Sequence, residues 1–250
     1  MALLTVPLQK SAAALTLCLE KAGFSTPPEA EVGFAFDVSG SYDDEHKNGV
    51  TNLLLRRLTP WGMVFDPDKK IDVFTFSDGK RSAHHVGEVT DRTVDGYVAD
   101  KIVGKVPGYN GATAYSHIIE KTLAHFGWTD SIEKPGFFGR LMGQKERVVS
   151  GLRRRTIVFL NTDGEITEAG DEARTVQVLE EAERRGDEIY FYFLGVSNQP
   201  GEFDFIEQLG DRFKNVGFLA ITDLDAFVAM SDDELNGLLI TEELLAWLKS

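Results

Sequence analysis

Compact apolar runs recur along the chain, and they predict the strands of a sheet. Five of them fall, in chain order, at residues 31–37, 71–76, 155–161, 188–195 and 216–220. The run at 155–161, RTIVFLN, shows almost no alternation between apolar and polar residues. That pattern is typical of a strand that is covered on both faces. The five runs therefore predict a buried sheet.

Between these runs, apolar residues recur at steps of three and four positions, as they do in helices that pack on a sheet. We predict helices at residues 8–19, 43–65, 91–103, 113–126, 171–185 and 203–209, and a mostly helical tail at 224–248. A strand remains the alternative for the first of these segments, because Leu15, Leu17 and Leu19 also alternate. Gly23 ends the helical pattern there.

Strands that alternate with helices of this length predict a doubly wound, Rossmann-like α/β domain, in which helices cover both faces of a mainly parallel sheet. We assign residues 1–30 to a leading helix and linker, 31–221 to the domain, and 222–250 to an acidic helical tail packed on it. Residues 127–152 form a basic, Gly-rich insertion. In such sheets ligands bind beyond the carboxyl ends of the strands, where the strand order reverses.

The composition narrows the range of partners and compartments. The chain has 250 residues, with 26 Lys plus Arg against 40 Asp plus Glu and a net charge of -14. An excess of acid argues against nucleic acid as a partner, because binding a polyanion needs a basic surface. A single cysteine, Cys18, cannot form an internal disulfide, which favours a reducing compartment. With no apolar run long enough to span a bilayer and no signal-peptide pattern, we expect a cytoplasmic protein without a membrane span.

The charge is unevenly distributed along the chain. Residues 134–155 hold seven basic side chains and one acidic one, whereas residues 223–243 hold seven acids and no base. A solvated loop is the simple interpretation of the basic segment. The alternative is that it docks an acidic partner or the acidic tail of a second copy, so that self-association remains open.

Oxygen-bearing side chains gather where the predicted strands end. Asp37, Ser39 and Ser41 follow the first strand in the string DVSGS, and alternate residues of an extended loop project to one side. Thr113 lies at the head of a predicted helix in NGATAYS, and Asp163 follows the third strand in NTDGE. Each motif alone is also typical of a turn or a helix N-cap. Their common position at one edge of the sheet favours a shared site.

The chemistry of these donors indicates the kind of ligand. Two carboxylates and three hydroxyls are hard oxygen donors, which suit Mg²⁺, with Mn²⁺ or Ca²⁺ as alternatives, and suit Zn²⁺ poorly. With only two acidic ligands, the cation keeps much of its Lewis acidity. We therefore expect it to bind a carboxylate that a protein partner supplies from an Asp or Glu.

This set of motifs resembles the metal-ion-dependent adhesion site of the von Willebrand factor A (VWA) family: Asp-x-Ser-x-Ser, a distant Thr, and an Asp in Thr-Asp-Gly. The resemblance extends over residues 31–220 and implies the VWA fold. It also implies a metal bound directly by the two serines, and directly or through water by the threonine and the two aspartates. The corresponding residues of this chain are Asp37, Ser39, Ser41, Thr113 and Asp163.

Further segments resemble the bacterial and phage branch of that family related to tellurium-resistance (TerF-type) proteins. These are LEKAGF, GFFGRLMGQK, TDGE, and SDDELNGLL followed by AWL. The resemblance implies a protein-interaction module in a tellurite, toxic-cation or phage-related stress response, and not an enzyme. Two departures leave every ligand in place: the threonine loop has Gly-Ala-Thr-Ala where the family usually has Gly-Gly-Thr, and Tyr42 replaces the usual Met. Tyr42 is expected at the rim of the site.

Other functional classes have weaker support. The sequence contains neither a P-loop nor a Gly-x-Gly-x-x-Gly after a strand. A metal-assisted hydrolase acting on phosphates or oxyanions is the main alternative, and its general base would be Glu165 or Asp43. A structural or assembly subunit is the third possibility. His84 and His85 are adjacent, so on a strand they would point to opposite faces and would not share a metal.

Overall fold

The computed structural model of the chain describes residues 7–133, 147–149, 153–164, 166–197, 199 and 203–250, with the backbone alone at 131–133 and 147–149. The strands are β1 (Glu31–Asp37), β2 (Ile71–Phe76), β3 (His84–Val89), β4 (Ser131–Glu133), β5 (Arg147–Val149), β6 (Thr156–Thr162), β7 (Ile189–Val196) and β8 (Val216–Ile221). Six of them form one sheet in the order β3-β2-β1-β6-β7-β8, and β4 pairs with β5 separately. All neighbours in the large sheet are parallel except β2 and β3.

Helices cover both faces of the sheet. They are α1 (Leu8–Lys21), α2 (Asp43–Asn48), α3 (Val50–Phe65), α4 (Tyr97–Lys101), α5 (Ser116–His125), α6 (Asp171–Arg185), α7 (Asp204–Arg212), α8 (Leu224–Ala229), α9 (Asp232–Leu239) and α10 (Glu242–Lys249). One apolar core joins the sheet to α1, α3, α4 and the three tail helices, and the other joins it to α5, α6 and α7. The fold is therefore the predicted Rossmann-like, doubly wound α/β class.

The most apolar segments were predicted closely. Strands β1 and β2 have the predicted bounds, and the ends of the other three predicted strands differ from the prediction by at most one residue. Every residue of β6 is buried, which confirms a strand covered on both faces. The leading segment is a helix, and its strand alternative is wrong.

Three predicted helices are wrong in extent, and each difference has a local cause. Gly49 has a φ of 88°, which a continuous helix does not allow, so that residues 43–65 form two helices. Residues 91–103 are helical only in α4, because Gly96 precedes it with a φ of 76°. Helix α5 begins at Ser116 and not at Thr113, since the N–H groups of Tyr115 and Ser116 donate to Asp171 Oδ2 at 2.6 and 3.2 Å.

Strand β3 was not predicted. Its sequence, HHVGEV, has only two apolar residues, and four of its six residues are half-buried. It is an antiparallel strand at the edge of the sheet, paired to β2 with a register shift between Val73 and Phe74. An edge strand with one open side does not need an apolar run, so its pattern is weak.

The strand order reverses between β1 and β6. The chain leaves β1 for β2 and β3 on one side, then returns to β6 on the other side of β1. Phe36 of β1 lies opposite Asn161 of β6, so the two strands end side by side. The crevice at such a switch point is where ligands bind in doubly wound sheets.

The tail helices lie against the face that carries α1 and α3, and they bury leucines there, including Leu235, Leu239, Leu244 and Leu248. Arg57 of α3 holds the tail through Asp232 Oδ1 at 2.7 Å and the Met230 carbonyl at 2.9 Å. Most of the predicted basic insertion, residues 134–146 and 150–152, lies outside the described residues. None of the helices in the described ranges has the length and apolar character needed to cross a membrane.

Candidate metal site at the carboxyl ends of β1 and β6

The first motif folds into a tight loop directly after β1. The Ser39 N–H donates to Asp37 Oδ1 at 2.8 Å, and the hydroxyl oxygens of Ser39 and Ser41 lie 3.2 Å apart. The Gly40 N–H donates to the Gly111 carbonyl at 2.9 Å, and this contact joins the loop to the threonine loop. The two serine hydroxyls are thereby held on the same side of the loop as the Asp37 carboxylate.

The second and third motifs reach the same point. Ser41 Oγ donates to Asp163 Oδ1 at 3.1 Å, and Ser39 Oγ lies 3.5 Å from the same oxygen. Thr113 Oγ1 donates to Asp37 Oδ2 at 3.3 Å. All five predicted residues therefore form one hydrogen-bonded group, which we name the oxygen cluster. Its members are Asp37, Ser39, Ser41, Thr113 and Asp163.

Thr113 reaches the cluster from a loop, and not from the head of a helix as predicted. Its backbone is held by Thr167, whose hydroxyl accepts from the Thr113 N–H at 3.0 Å, and whose own N–H donates to the Thr113 carbonyl at 3.0 Å. Because Asp171 caps α5, the Thr113 side chain does not serve as an N-cap. It is instead directed at Asp37.

One residue at the site was missed by sequence reasoning. Thr162, the last residue of β6, donates from Oγ1 to Asp37 Oδ2 at 2.6 Å. It directly precedes Asp163, but only the parallel register of β1 and β6 places it beside Asp37. That register is a tertiary feature, and the apolar pattern of the strands carries no signal for it.

Tyr42 does not lie at the rim of the site, and that expectation is corrected. Its side chain is fully buried, and its hydroxyl donates to Asn161 Oδ1 at 2.9 Å. The Tyr42 ring packs edge-on against His46, whose Nε2 lies 2.7 Å from the Asp37 carbonyl oxygen. Tyr42 and His46 thus support the loop from its buried side.

The electrostatics of the cluster suit a cation. Asp37 is fully buried, and this burial raises its pKa to about 7, although hydrogen bonds from Thr162 and Ser39 act to lower it. The negative charge of the nearby Asp163 carboxylate contributes to this raised pKa of Asp37. A divalent cation between these carboxylates would offset both their burial and their mutual repulsion. The donors are all hard oxygens, so the cluster fits an ion of the Mg²⁺ type.

The site is accessible to an external group. Ser39, Ser41 and Thr113 line a surface depression, together with Gly111 and Gly164. A neighbouring depression that includes Asp163 is lined by further acids, Glu45, Asp223 and Asp225. The oxygen cluster is therefore accessible to solvent, and the surface next to it is acidic.

Of the two candidate general bases for hydrolysis, only Asp43 lies among the described residues. Asp43 accepts a 2.6 Å hydrogen bond from the Tyr109 hydroxyl at Oδ1 and forms an ion pair with Lys47 through Oδ2. These two partners lower the pKa of Asp43, with the Lys47 contact contributing most. Glu165 lies outside the described residues.

Comparison with known proteins bears on the fold of the chain. No family model and no curated protein matches the chain. Among solved structures, it is similar to proximal thread matrix protein 1 from the mussel byssus, with a TM-score of 0.50 and 14% sequence identity. The match covers 86% of this chain and 48% of that one, so that the chain spans about half the length of the byssus protein. At this identity the likeness bears on the fold alone.

Proposed function

We propose that this protein is a metal-dependent protein-interaction module. In this proposal the oxygen cluster holds a divalent cation of the Mg²⁺ type, and the cation accepts a carboxylate from an Asp or Glu of a partner protein. The observation that carries the proposal is the convergence of five oxygen side chains, from three separate segments, at the switch point of the sheet. Turns and N-caps formed independently would not need to meet in this way.

The surrounding residues support cation binding by holding the donors in place. Thr162 fixes one oxygen of Asp37, and the Ser39 N–H fixes the other. Ser41, the most exposed member of the cluster, lies on the solvent side and is bonded to Asp163. When bound, the cation would supply a positive charge that attracts a carboxylate of the partner. The chain's own residues would hold the cation in position and partly remove its water shell.

The acidic surroundings add a prediction about selectivity. Glu45, Asp223 and Asp225 line the neighbouring depression, and the whole chain carries a net charge of -14. An acidic partner is therefore repelled at long range and attracted only close to the cation. We infer a site that selects a well-fitting carboxylate and gains little from electrostatic steering.

The state of Asp43 argues against this residue as the general base of the alternative, a metal-assisted hydrolase. A general base must be able to accept a proton from water, whereas this carboxylate is already engaged by Tyr109 and Lys47. We extend the proposal to a VWA-type module, acting in the cytoplasm in a tellurite, toxic-cation or phage-related stress response. This extension is supported only by the resemblance of the sequence motifs.

Metal-dependent capture of a partner tests the proposal. The full chain, immobilised, is exposed to a lysate of its host in Mg²⁺ or in EDTA, and bound proteins are identified by mass spectrometry. We expect a partner that is retained in Mg²⁺, released by EDTA and lost with Asp163→Asn. Asp225→Asn is the matched control, since it removes a neighbouring acid outside the cluster, and it should retain the partner. Capture that ignores both EDTA and Asp163→Asn would rule out the proposed mode of binding.

A further inference from the structure

A second group of metal-binding side chains lies away from the oxygen cluster. It consists of Asp72 in β2, His85 in β3 and His125 at the end of α5, and we name it the histidine cluster. Asp72 is four residues before Phe76, the last residue of β2, which places it roughly 13 Å along the strand from the carboxyl edge of the sheet. The two clusters therefore share no residues and lie at different points along the sheet.

The two histidines converge on one carboxylate oxygen. His85 Nε2 lies 2.8 Å from Asp72 Oδ1, and His125 Nε2 lies 3.1 Å from the same atom. The three ligand atoms all lie within 4.8 Å of one another. In a tetrahedral zinc site, ligand atoms are separated by about 3.3 Å, because each lies about 2.0–2.1 Å from the metal. Small outward shifts of the side chains would therefore make room for an ion.

Aromatic rings pack against the histidine cluster, and its two imidazoles are partly exposed to solvent. The Phe74 ring packs against both imidazoles, with centroids 4.9 Å from His85 and 5.0 Å from His125. Phe126 packs edge-on against His125 at 4.9 Å. The Asp72 side chain is only 3% exposed, whereas those of His85 and His125 are 29% and 27% exposed. An ion entering from solvent would thus meet two preoriented imidazoles backed by a buried carboxylate.

Two charged side chains, Lys70 and Glu88, lie beside the histidine cluster. Lys70 Nζ lies 3.5 Å from Asp72 Oδ2, on the oxygen that the histidines do not use, and it makes a shorter contact of 2.5 Å with Glu88. Burial acts to raise the pKa of Asp72, but the hydrogen bonds from His125 and His85 and the charge of Lys70 hold it well below its usual range. Oδ2 of Asp72 thus faces Lys70, whereas Oδ1 faces the two imidazoles.

We propose that Asp72, His85 and His125 form a binding site for Zn²⁺ or a similar transition-metal ion. Two imidazole nitrogens and one carboxylate oxygen are a common set for such ions and leave coordination positions open to solvent. The donor set differs from the all-oxygen cluster, so the proposal does not depend on the function proposed above. A bound ion would tie the edge strand β3 to β2 and α5.

Zinc titration of variants tests this site. The full, untagged chain is titrated with Zn²⁺ by calorimetry in excess Mg²⁺, which competes with Zn²⁺ for any site made only of oxygen. We expect one zinc ion per chain, bound at least about tenfold more weakly by His85→Gln and by His125→Gln, because loss of a ligand costs no less than loss of an outer-shell partner. His84→Gln is the matched control, since it removes the adjacent histidine, and it should change the affinity by less than about twofold.

A measurement on the unmodified chain keeps the test independent of folding of the variants. Ring ¹⁵N resonances of the five histidines are recorded by NMR with and without Zn²⁺. We expect zinc to shift the Nε2 resonances of His85 and His125 and to leave His46, His84 and His117 unchanged. The proposal is wrong if the unmodified chain binds no zinc, if zinc shifts other histidines instead, or if folded His85→Gln and His125→Gln bind zinc as tightly as the control.

Discussion

Thr162 Oγ1 donates a 2.6 Å hydrogen bond to Asp37 Oδ2, and this bond joins the last residue of β6 to the last residue of β1. Thr113 donates to the same oxygen at 3.3 Å. The Asp37 carboxylate is thus fixed from both sides of the switch point before any ion binds. Thr162 is a positioning residue in the proposed site, and not one of its ligands.

Replacing Thr162 by valine should separate this positioning role from folding. Thr162→Val keeps the shape of the side chain and removes the donor to Asp37, so we expect affinity for Mg²⁺ to fall by about tenfold, as for outer-shell partners elsewhere. Calorimetric titration with Mg²⁺ measures this change. Thr156→Val is the control, because Thr156 starts the same strand and is buried and hydrogen-bonded far from the site. Each substitution should cost about 1 kcal/mol of stability, but only the first should weaken Mg²⁺ binding.

The pKa of Asp37 predicts how stability depends on pH. Burial raises this pKa from 3.8 to about 7 in the folded chain, so the folded state binds a proton more tightly than the unfolded state does. In EDTA, the stabilising contribution of protonated Asp37 is complete below the unfolded value and is lost as the pH rises through about 7. Mg²⁺ must displace that proton, so the stabilisation by Mg²⁺ should grow from about pH 6 to about pH 8.

Urea denaturation in EDTA and in Mg²⁺ across this pH range measures both effects. Asp37→Asn carries no titrating carboxyl, and it should remove both the pH dependence in EDTA near neutrality and the response to Mg²⁺. An unchanged pH profile in Asp37→Asn would assign the dependence to another group.

Substitution of two glycines by alanine should change the free energy of unfolding in opposite directions. Gly49 has a φ of 88° at the break between α2 and α3, a conformation that L side chains rarely adopt. Gly49→Ala should therefore lower the free energy of unfolding by about 1 kcal/mol. Gly237 lies exposed within α9 with open space around it, and Gly237→Ala should raise the free energy of unfolding by up to about 1 kcal/mol. Chemical denaturation of both variants checks the signs, and equal signs would contradict the described helix break.

The ion pair between Arg57 and Asp232 should contribute to docking of the tail. Both side chains are 14% exposed, and their atoms lie 2.7 Å apart. In a double-mutant cycle with Arg57→Ala and Asp232→Ala, we expect a coupling energy of about 1 kcal/mol, because the pair is partly shielded from solvent. Arg56 and Asp95 form the comparison pair, in which Asp95 is 79% exposed, and their coupling should be smaller. A larger coupling in the exposed pair would contradict this argument.

The sequence predicted the parts of the fold that depend on local pattern. Strands β1 and β2 were placed because they are compact, mainly apolar runs, and the five members of the oxygen cluster because each follows such a run or a Gly-rich loop. The sequence did not reveal Thr162, whose role depends on the register of β1 against β6. The positive φ of Gly49 is also invisible to helical periodicity.

The histidine cluster is a second group of residues that could not be predicted from the sequence, because its members meet only in the folded chain. The adjacent pair His84 and His85 was not expected to share a metal, because neighbouring residues of a strand diverge. His85 instead meets His125, which is 40 residues later, and Asp72 on the neighbouring strand. Strand β3 lacks an apolar pattern, so nothing in the sequence indicated that these three residues would lie together.

The central claim, that the oxygen cluster binds a divalent cation, is tested most directly by anomalous diffraction from crystals soaked in Mn²⁺, a probe for Mg²⁺-type sites. We predict an anomalous peak bounded by the side chains of the cluster, and its absence from crystals of Asp163→Asn. A map with no peak between Asp37 and Asp163, at an Mn²⁺ concentration that saturates any binding seen in solution, would contradict the account.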